Sequence, residues 1–330
     1  MSRAALLSAL LAVACAGVQE TETETETETE TETETETETE TETRRSRSVG
    51  GPNDGRLEGG VALPLSGPGF IFNPRRDPAA RFATGDVVRQ LLAAARRASG
   101  RVPIVFNDLG YREGGPIPHH GSHRVGRDVD VLFAMRGPDG QPYPPVGAFF
   151  DPDGRGVDFR DLRDPGDDVP LTFDGERTWR FLEALLEGEP DSGAPLQRVF
   201  LVEHLRAALL AAADRLGARP ATRARFAMIS CQPNSPHDDH LHLRFFCAPE
   251  DIPGGCEDAA PHYPWRRRAL AAQGLTMRGH RPRRDRPRAP TVSAAEARAA
   301  AGPLHAEVQR WLDRREAWSE APHPGRAWCR

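Results

Sequence analysis

The sequence predicts an α+β domain over residues 48–260, built on a small, mostly antiparallel sheet flanked by helices and long loops. In this part of the chain, short β-rich segments and amphipathic helical segments are interspersed without a strict β-α alternation. The chain has 330 residues and 38% hydrophobic content, which is enough for one large domain or two small ones. The two ends differ from the middle in composition, so we expect them to lie outside this domain.

The first segment, residues 1–16, predicts export. It contains one Arg, then an apolar run of roughly a dozen residues, which is too short to span a bilayer but fits a signal peptide. Cys15 follows Ala12-Val13-Ala14, so lipidation of Cys15 and a plain Ala-x-Ala cleavage site both remain open. We expect a periplasmic or cell-envelope protein whose contact with a membrane is limited to a lipid anchor at Cys15.

Residues 17–47 are predicted to form a disordered linker, because they contain an eleven-fold Thr-Glu repeat with no apolar face to bury. The alternative is a repeat expansion with no role beyond length. Twelve acidic residues between Glu20 and Glu42 dominate the net charge of −5, so the rest of the chain carries about +7, all of it from Arg. A basic domain suits an anionic cell-wall polymer, and the export signal argues against nucleic acid.

The predicted helices and strands follow from hydrophobic periodicity. Thr84 is a candidate N-cap for the first helix. Helices are expected at residues 86–99, 178–188 and 203–217. Strands are expected at residues 102–110, 127–135, 196–202, 226–230 and 239–247. Residues 137–170, rich in Gly, Pro and Asp, are expected to form a long loop region. Residues 261–330 are predicted to form a basic, Pro/Arg-rich tail with a short helix over 294–318, attached as an appendage.

Histidines are concentrated in two short windows. Six of the eleven histidines lie in residues 118–123 and 237–242. The first window continues into a strand as His123-x6-Asp130, and the second contains His240-x-His242. Because alternate side chains share a face of a strand, Asp128 and Asp130 point one way, and their apolar neighbours point into the core. Imidazole and carboxylate groups are zinc ligands, and three protein ligands leave a fourth position open, as in catalytic zinc sites.

The motifs "NDLGYREGGPIPHHGSHRVGRDVDV" and "HDDHLHLRFFC" resemble those of the LAS-type (hedgehog-like) zinc metallopeptidases, and most closely the penicillin-insensitive murein endopeptidases. Softer similarity extends over residues 48–256. The resemblance implies a Zn²⁺ enzyme that cuts peptide cross-links of peptidoglycan, with D-alanyl-meso-diaminopimelyl bonds as the expected target. Arg127 and Arg244, which flank the site strands, are expected to meet the anionic stem peptides.

The same resemblance implies a role for each site residue. It makes His123, Asp130 and His242 the zinc ligands, and His237 and His240 the catalytic pair that does not bind zinc. We expect His237 to take the proton of the attacking water and His240 to stabilise the oxyanion, although the two roles could be exchanged.

Two further residues are expected near the ligands. Asp128 is expected to orient one of them. His120 resembles a ligand of an additional metal site, but the chain has no His between Phe133 and Glu203 to complete it. His119 and His204 are expected at the surface.

Four cysteines remain besides Cys15. An even number in an exported chain fits two disulfides. Cys247 and Cys256 enclose a short Pro/Gly loop and are the favoured pair, which leaves Cys231 with Cys329. Free thiols are the alternative.

Three alternatives to a murein endopeptidase remain open. A D-alanyl-D-alanine carboxypeptidase of the same zinc fold would use the same metal ligands. A non-catalytic peptidoglycan-binding module would have no need for His237 and His240. In a structural envelope protein, the Thr-Glu repeat and the basic tail would carry the function, and the histidines would have no catalytic role. The sequence does not determine the oligomeric state.

Overall fold

The computed structural model describes residues 45–188, 193–281, 292–319, 323 and 325–329. The predicted signal peptide (1–16) and all but the last three residues of the predicted linker (17–47) lie outside the described residues. Within the described part of the chain, no helix combines the length and apolar character that crossing a bilayer requires.

A seven-stranded sheet forms the centre of the structure. In spatial order its strands are β14 (Ser230–Cys231), β13 (Leu196–Phe200), β15 (His240–Phe245), β8 (Asp128–Leu132), β7 (Ile104–Phe106), β5 (Phe70–Phe72) and β4 (Ser66–Gly67). The β13–β14 and β5–β7 pairs are parallel and the other four are antiparallel. The α+β prediction is confirmed.

Three smaller sheets surround the central one. Two are strand pairs, β1 (Arg47–Val49) with β2 (Arg56–Glu58) and β3 (Val61–Ala62) with β6 (Phe82–Ala83). The third has the order β10 (Pro142–Tyr143), β9 (Met135–Arg136), β12 (Val169–Phe173) and β11 (Arg155–Asp158). The prediction of a long loop at 137–170 is therefore wrong in part, because these strands are short and interrupted by Gly and Pro turns that hide their periodicity.

Seven α-helices are present among the described residues. They are α1 (Gly85–Arg97), α2 (Gly175–Glu187), α3 (Glu203–Arg215), α4 (Pro220–Ile229), α5 (Pro264–Ala271), α6 (Ala294–Ala301) and α7 (Ala306–Ser319). Thr84 is the N-cap residue of α1 but makes no side-chain cap bond. The strand predicted over 226–230 is wrong, because most of these residues belong to α4 and only Ser230 enters the sheet. Helix α4 begins with Pro220, a residue favoured in the first turn of a helix.

The main hydrophobic core lies between one face of the central sheet and the helices. Val129 and Val131 of β8, with Leu241 and Leu243 of β15, belong to it, together with buried residues of α1, α2, α3 and α4. The alternate residues of the same strands, including Asp128 and Asp130, point to the opposite face. Strand alternation thus separates an apolar face from a polar one.

The C-terminal segment packs against the domain instead of extending from it as an appendage. Its predicted helix is split into α6 and α7 around Gly302, which has a positive φ of 69°. Arg315 of α7 forms an ion pair with Asp238, and Cys329 is bonded to Cys231. A second disulfide joins Cys247 and Cys256 immediately after β15.

Candidate metal centre

Two central strands present the candidate ligands on one face. β8 and β15 run antiparallel with His242 opposite Asp130 and Arg244 opposite Asp128. His123 lies in the loop before β8, where its positive φ of 64° turns the chain back toward the sheet. The predicted residues His123, Asp130 and His242 are therefore brought together from distant parts of the chain.

Three atoms of these residues surround a common point. His123 Nε2 lies 3.3 Å from Asp130 Oδ1 and 3.3 Å from His242 Nδ1, and His242 Nδ1 lies 3.0 Å from Asp130 Oδ1. Ligand atoms held about 2.0 to 2.1 Å from a tetrahedral ion lie roughly 3.3 Å apart, so this spacing fits such an ion. Asp130 Oδ1 is also buried without a hydrogen bond among the described residues. The three residues therefore fit a metal ion. Further hydrogen bonds orient their side chains.

The other ring nitrogens of the two histidines are occupied. His123 Nδ1 lies 2.9 Å from the carbonyl oxygen of Leu109, to which it donates in the tautomer with a free Nε2. His242 Nε2 lies 3.0 Å from Asp128 Oδ1, which also accepts from Arg244 Nε at 2.6 Å. Such contacts fix the tautomer and ring orientation of a metal-binding histidine. Asp128 thus lies where an orienting carboxylate is needed.

Neighbouring cationic groups keep the two buried carboxylates of the site ionised. Burial alone would raise the pKa of Asp130, but the imidazoles of His240 and His123 hold it well below its usual range. Burial likewise opposes ionisation of Asp128, and Arg244 and His242 outweigh it, so that its pKa is also strongly lowered. Both carboxylates are therefore ionised and available to cationic partners.

The two remaining histidines of the second window differ in charge. Burial lowers the pKa of His240, but Asp239 and Asp130 outweigh it and raise the pKa well above its usual value. Its Nδ1 lies 2.7 Å from Asp239 Oδ1. Burial, followed by the charges of His240 and His242, lowers the pKa of His237 well below its usual value. The pair therefore consists of one cationic and one neutral imidazole at neutral pH.

A cavity of about 220 Å³ opens over these groups. It is lined by the candidate ligand His242, by the His237 and His240 pair, and by two guanidinium groups, those of Arg244 and Arg315. The ring centroids of His237 and His240 are 5.0 Å apart. The cavity brings a neutral imidazole, a cationic imidazole and the candidate ligand His242 to one surface.

A second group of potential ligands lies beside the first. His120, His123 and Asp130 offer atoms within 4.8 Å of one another, as do His237, His240 and His242. His120 Nε2 lies 2.9 Å from Asp108 Oδ2. The sequence offers no histidine partner for His120 between Phe133 and Glu203, and the carboxylate of Asp108, within the first quoted motif, is the partner that was not predicted.

Three other residues have surroundings that differ from those expected from the sequence. Arg127 does not line the cavity: it is 1% exposed and its Nη1 is 3.0 Å from Asp258, so its predicted contact with substrate is wrong. His204 is half-buried rather than exposed, with Nε2 2.9 Å from the carbonyl oxygen of Phe150. His119 lines the cavity. Sequence reasoning also missed Asp239, although its position beside His240 was a usable signal, and Arg315, for which no local signal exists.

Two comparisons with known proteins bear on this region. Residues 48–142 match the family model described as penicillin-insensitive murein endopeptidase. A penicillin-insensitive murein endopeptidase of Klebsiella pneumoniae is 32% identical over 93 residues, which is 27% of this chain and 34% of that protein. The chain thus matches about a third of the length of that relative. Both comparisons confirm the resemblance predicted from the motifs: residues 48–142 of this chain match the penicillin-insensitive murein endopeptidase family.

Proposed function

We propose that the chain is a zinc-dependent murein endopeptidase that hydrolyses peptide cross-links of peptidoglycan, with the D-alanyl-meso-diaminopimelyl bond as its target. The observation that carries this proposal is the convergence of His123 Nε2, Asp130 Oδ1 and His242 Nδ1 at 3.0 to 3.3 Å from one another. The family match over residues 48–142 supports the substrate class.

Zinc fits this donor set better than magnesium or calcium. Zinc is bound by imidazole nitrogens together with carboxylate oxygens, whereas magnesium and calcium take all-oxygen sites. Three protein ligands leave one coordination position open, as in catalytic zinc sites. We assign the ligand roles to His123, Asp130 and His242.

Zinc would supply a Lewis acid that polarises the scissile carbonyl and lowers the pKa of a water at the site to about 7. The neutral imidazole of His237 is suited to take the proton of that water. The cationic imidazole of His240, held by Asp239, is suited to stabilise the oxyanion that forms on the carbonyl. The proton held by His237 can then pass to the leaving amine.

The charge of the cavity fits an anionic substrate. Arg244 and Arg315 both line it, and the carboxylates of stem peptides would meet the guanidinium group of Arg244. Substrate binding is therefore assigned to Arg244 in place of Arg127.

The same proposal includes the type of fold of residues 48–260, the cellular location of the protein and the role of its first segment. A pair of antiparallel strands carrying the ligands on one face supports an LAS-type, hedgehog-like fold for residues 48–260. The apolar first segment supports export to the periplasm or envelope, with lipidation of Cys15 as an alternative to simple cleavage.

Digestion of purified sacculi by the purified protein tests this function. An endopeptidase converts cross-linked dimers to monomers, and mass spectrometry of the products shows it. Release of terminal D-alanine without loss of dimers would identify a carboxypeptidase instead. Binding to sacculi without any product, in protein that contains zinc, would indicate a non-catalytic module.

A further inference from the structure

The carboxylate of Asp238 is enclosed by the C-terminal helix α7. Arg315 donates from Nε to Asp238 Oδ2 at 2.7 Å and from Nη2 to Oδ1 at 2.6 Å, and Trp318 Nε1 donates to Oδ2 at 3.0 Å. Asp238 is fully buried. Within the described part of the chain, these three hydrogen bonds are the ones that this carboxylate accepts. A buried carboxylate without such partners would have to become protonated or move toward water.

Asp238 lies between the two catalytic histidines proposed above. His237 precedes it with a positive φ of 51°, a conformation that residues other than glycine rarely adopt. Asp239, which contacts His240, follows it. A shift of the Asp238 side chain would therefore displace both His237 and the Asp239–His240 pair.

The main chain around Asp238 is anchored at two further points. The amide of Val202 donates to the carbonyl of His237 at 3.1 Å, and the amide of Phe150 donates to the carbonyl of Asp238 at 3.0 Å. Arg315 is tied to the same region, because its guanidinium carbon lies 3.9 Å from the centroid of the Phe149 ring. These two backbone hydrogen bonds limit the movement of the loop, and Arg315 is the cation that pairs with its buried carboxylate.

We propose that Arg315 is a positioning residue of the active site, which fixes His237 and the Asp239–His240 pair through the buried carboxylate of Asp238. Helix α7 lies outside residues 48–142, the part that matches the family model. The C-terminal segment would then complete the catalytic geometry of this chain. This inference rests on the proposed hydrolytic function, since its readout is turnover.

Arg315→Gln in the full chain is the first test. Its matched control is Arg310→Gln on the same helix, because the Arg310 side chain is 60% exposed and its ion-pair partner within the described part of the chain is Glu307. We expect Arg315→Gln to lower kcat by roughly 10- to 100-fold, the scale for losing a group that orients a catalytic residue, with KM within about threefold of wild type. Arg310→Gln should match wild type in both constants.

Zinc content and the Cys231–Cys329 disulfide are measured in the same samples. Both should be unchanged in Arg315→Gln, because Arg315 contacts none of the proposed ligands. Arg315→Lys keeps the charge but loses the paired hydrogen bonds, and its kcat should lie between those of wild type and Arg315→Gln. Asp238→Asn added to Arg315→Gln removes the unpaired buried charge, and it should recover at least part of the lost kcat.

Three results would overturn the inference. One is a kcat for Arg315→Gln equal to that of Arg310→Gln while wild type is active. Another is loss of zinc or of the disulfide in all the Arg315 variants, which would show a role in folding alone. The third is a failure of Asp238→Asn to restore any turnover to a folded Arg315→Gln protein. Wild-type protein that digests no sacculi would instead refute the proposed function, and the inference with it.

Discussion

The two strands that carry the candidate metal centre are held in place in different ways. The β8 side is fixed by nearby sequence: His123 Nδ1 lies 2.9 Å from the carbonyl of Leu109, and the amide of Asp130 donates to the carbonyl of Asp108 at 3.0 Å. The loop before β15 is fixed by distant residues, among them Val202 and Arg315. The β8 side is thus held partly by contacts within residues 48–142, whereas the loop before β15 is held by residues from more distant parts of the chain. Substitutions of these supporting residues should therefore have different consequences on the two sides, whereas loss of a metal ligand should have the same consequence on either side.

The largest expected effect is loss of the metal when a ligand is removed on either side of the site. His123→Ala on the β8 side and His242→Ala on the β15 side should each abolish activity, because each removes one of three proposed ligands. The fold should remain largely intact. Elemental analysis of the purified variants measures the metal, and unchanged zinc in both variants would contradict the ligand assignment.

A second, smaller effect is confined to the β15 half. His240→Ala should keep zinc and lower turnover by roughly 10² to 10⁴, the usual scale for removing a positioned acid-base or oxyanion group. Metal content and kcat are measured together. Because His240 Nε2 lies 3.4 Å from Asp130 Oδ1, a reversed result is a real alternative: zinc lost in His240→Ala and kept in His242→Ala would exchange their roles.

His237→Ala should also keep zinc and lose turnover on the same scale, and it should change the pH dependence. A general base must be neutral, so the rate falls as pH drops through its pKa. Since burial and the neighbouring imidazoles lower the pKa of His237, this limb should lie below pH 6.5, the ordinary value for His. The pH-rate profile of kcat should lose that limb in His237→Ala. An identical acidic limb in wild type and variant would assign the base to another group.

The smallest expected difference separates the two disulfides. In the chain-entropy description, Cys231–Cys329, with a separation of 98 residues, stabilises by about 4.7 kcal/mol, and Cys247–Cys256, with a separation of 9, by about 2.6 kcal/mol. Replacing both cysteines of the long-range pair by Ser should therefore lower the free energy of unfolding more. Denaturant unfolding measures the difference, and an equal or reversed order would contradict it. Peptide mapping without reduction should recover both pairs joined.

Features that depend on local sequence could be predicted, and contacts between distant residues could not. Alternation along β8 and β15 was sufficient to place Asp128 with Asp130 on one face, since a strand has a period of two residues. The helix over α4 was missed because a five-residue apolar run does not distinguish a strand from the end of a helix. Arg315 was missed for a different reason. It lies 77 positions from Asp238 along the chain, and no local pattern identifies such a partner.

The contacts of Asp238 and Cys231 also limit how the protein can be shortened. A fragment cut to residues 48–260 keeps all three proposed ligands and both catalytic histidines, but it lacks Arg315, Trp318 and Cys329. Its Asp238 would lose all three of the hydrogen bonds described above, and Cys231 would carry a free thiol. Poor turnover in such a fragment would then report the missing helix and not the absence of a metallopeptidase. Assays of trimmed versions should retain the chain through residue 329.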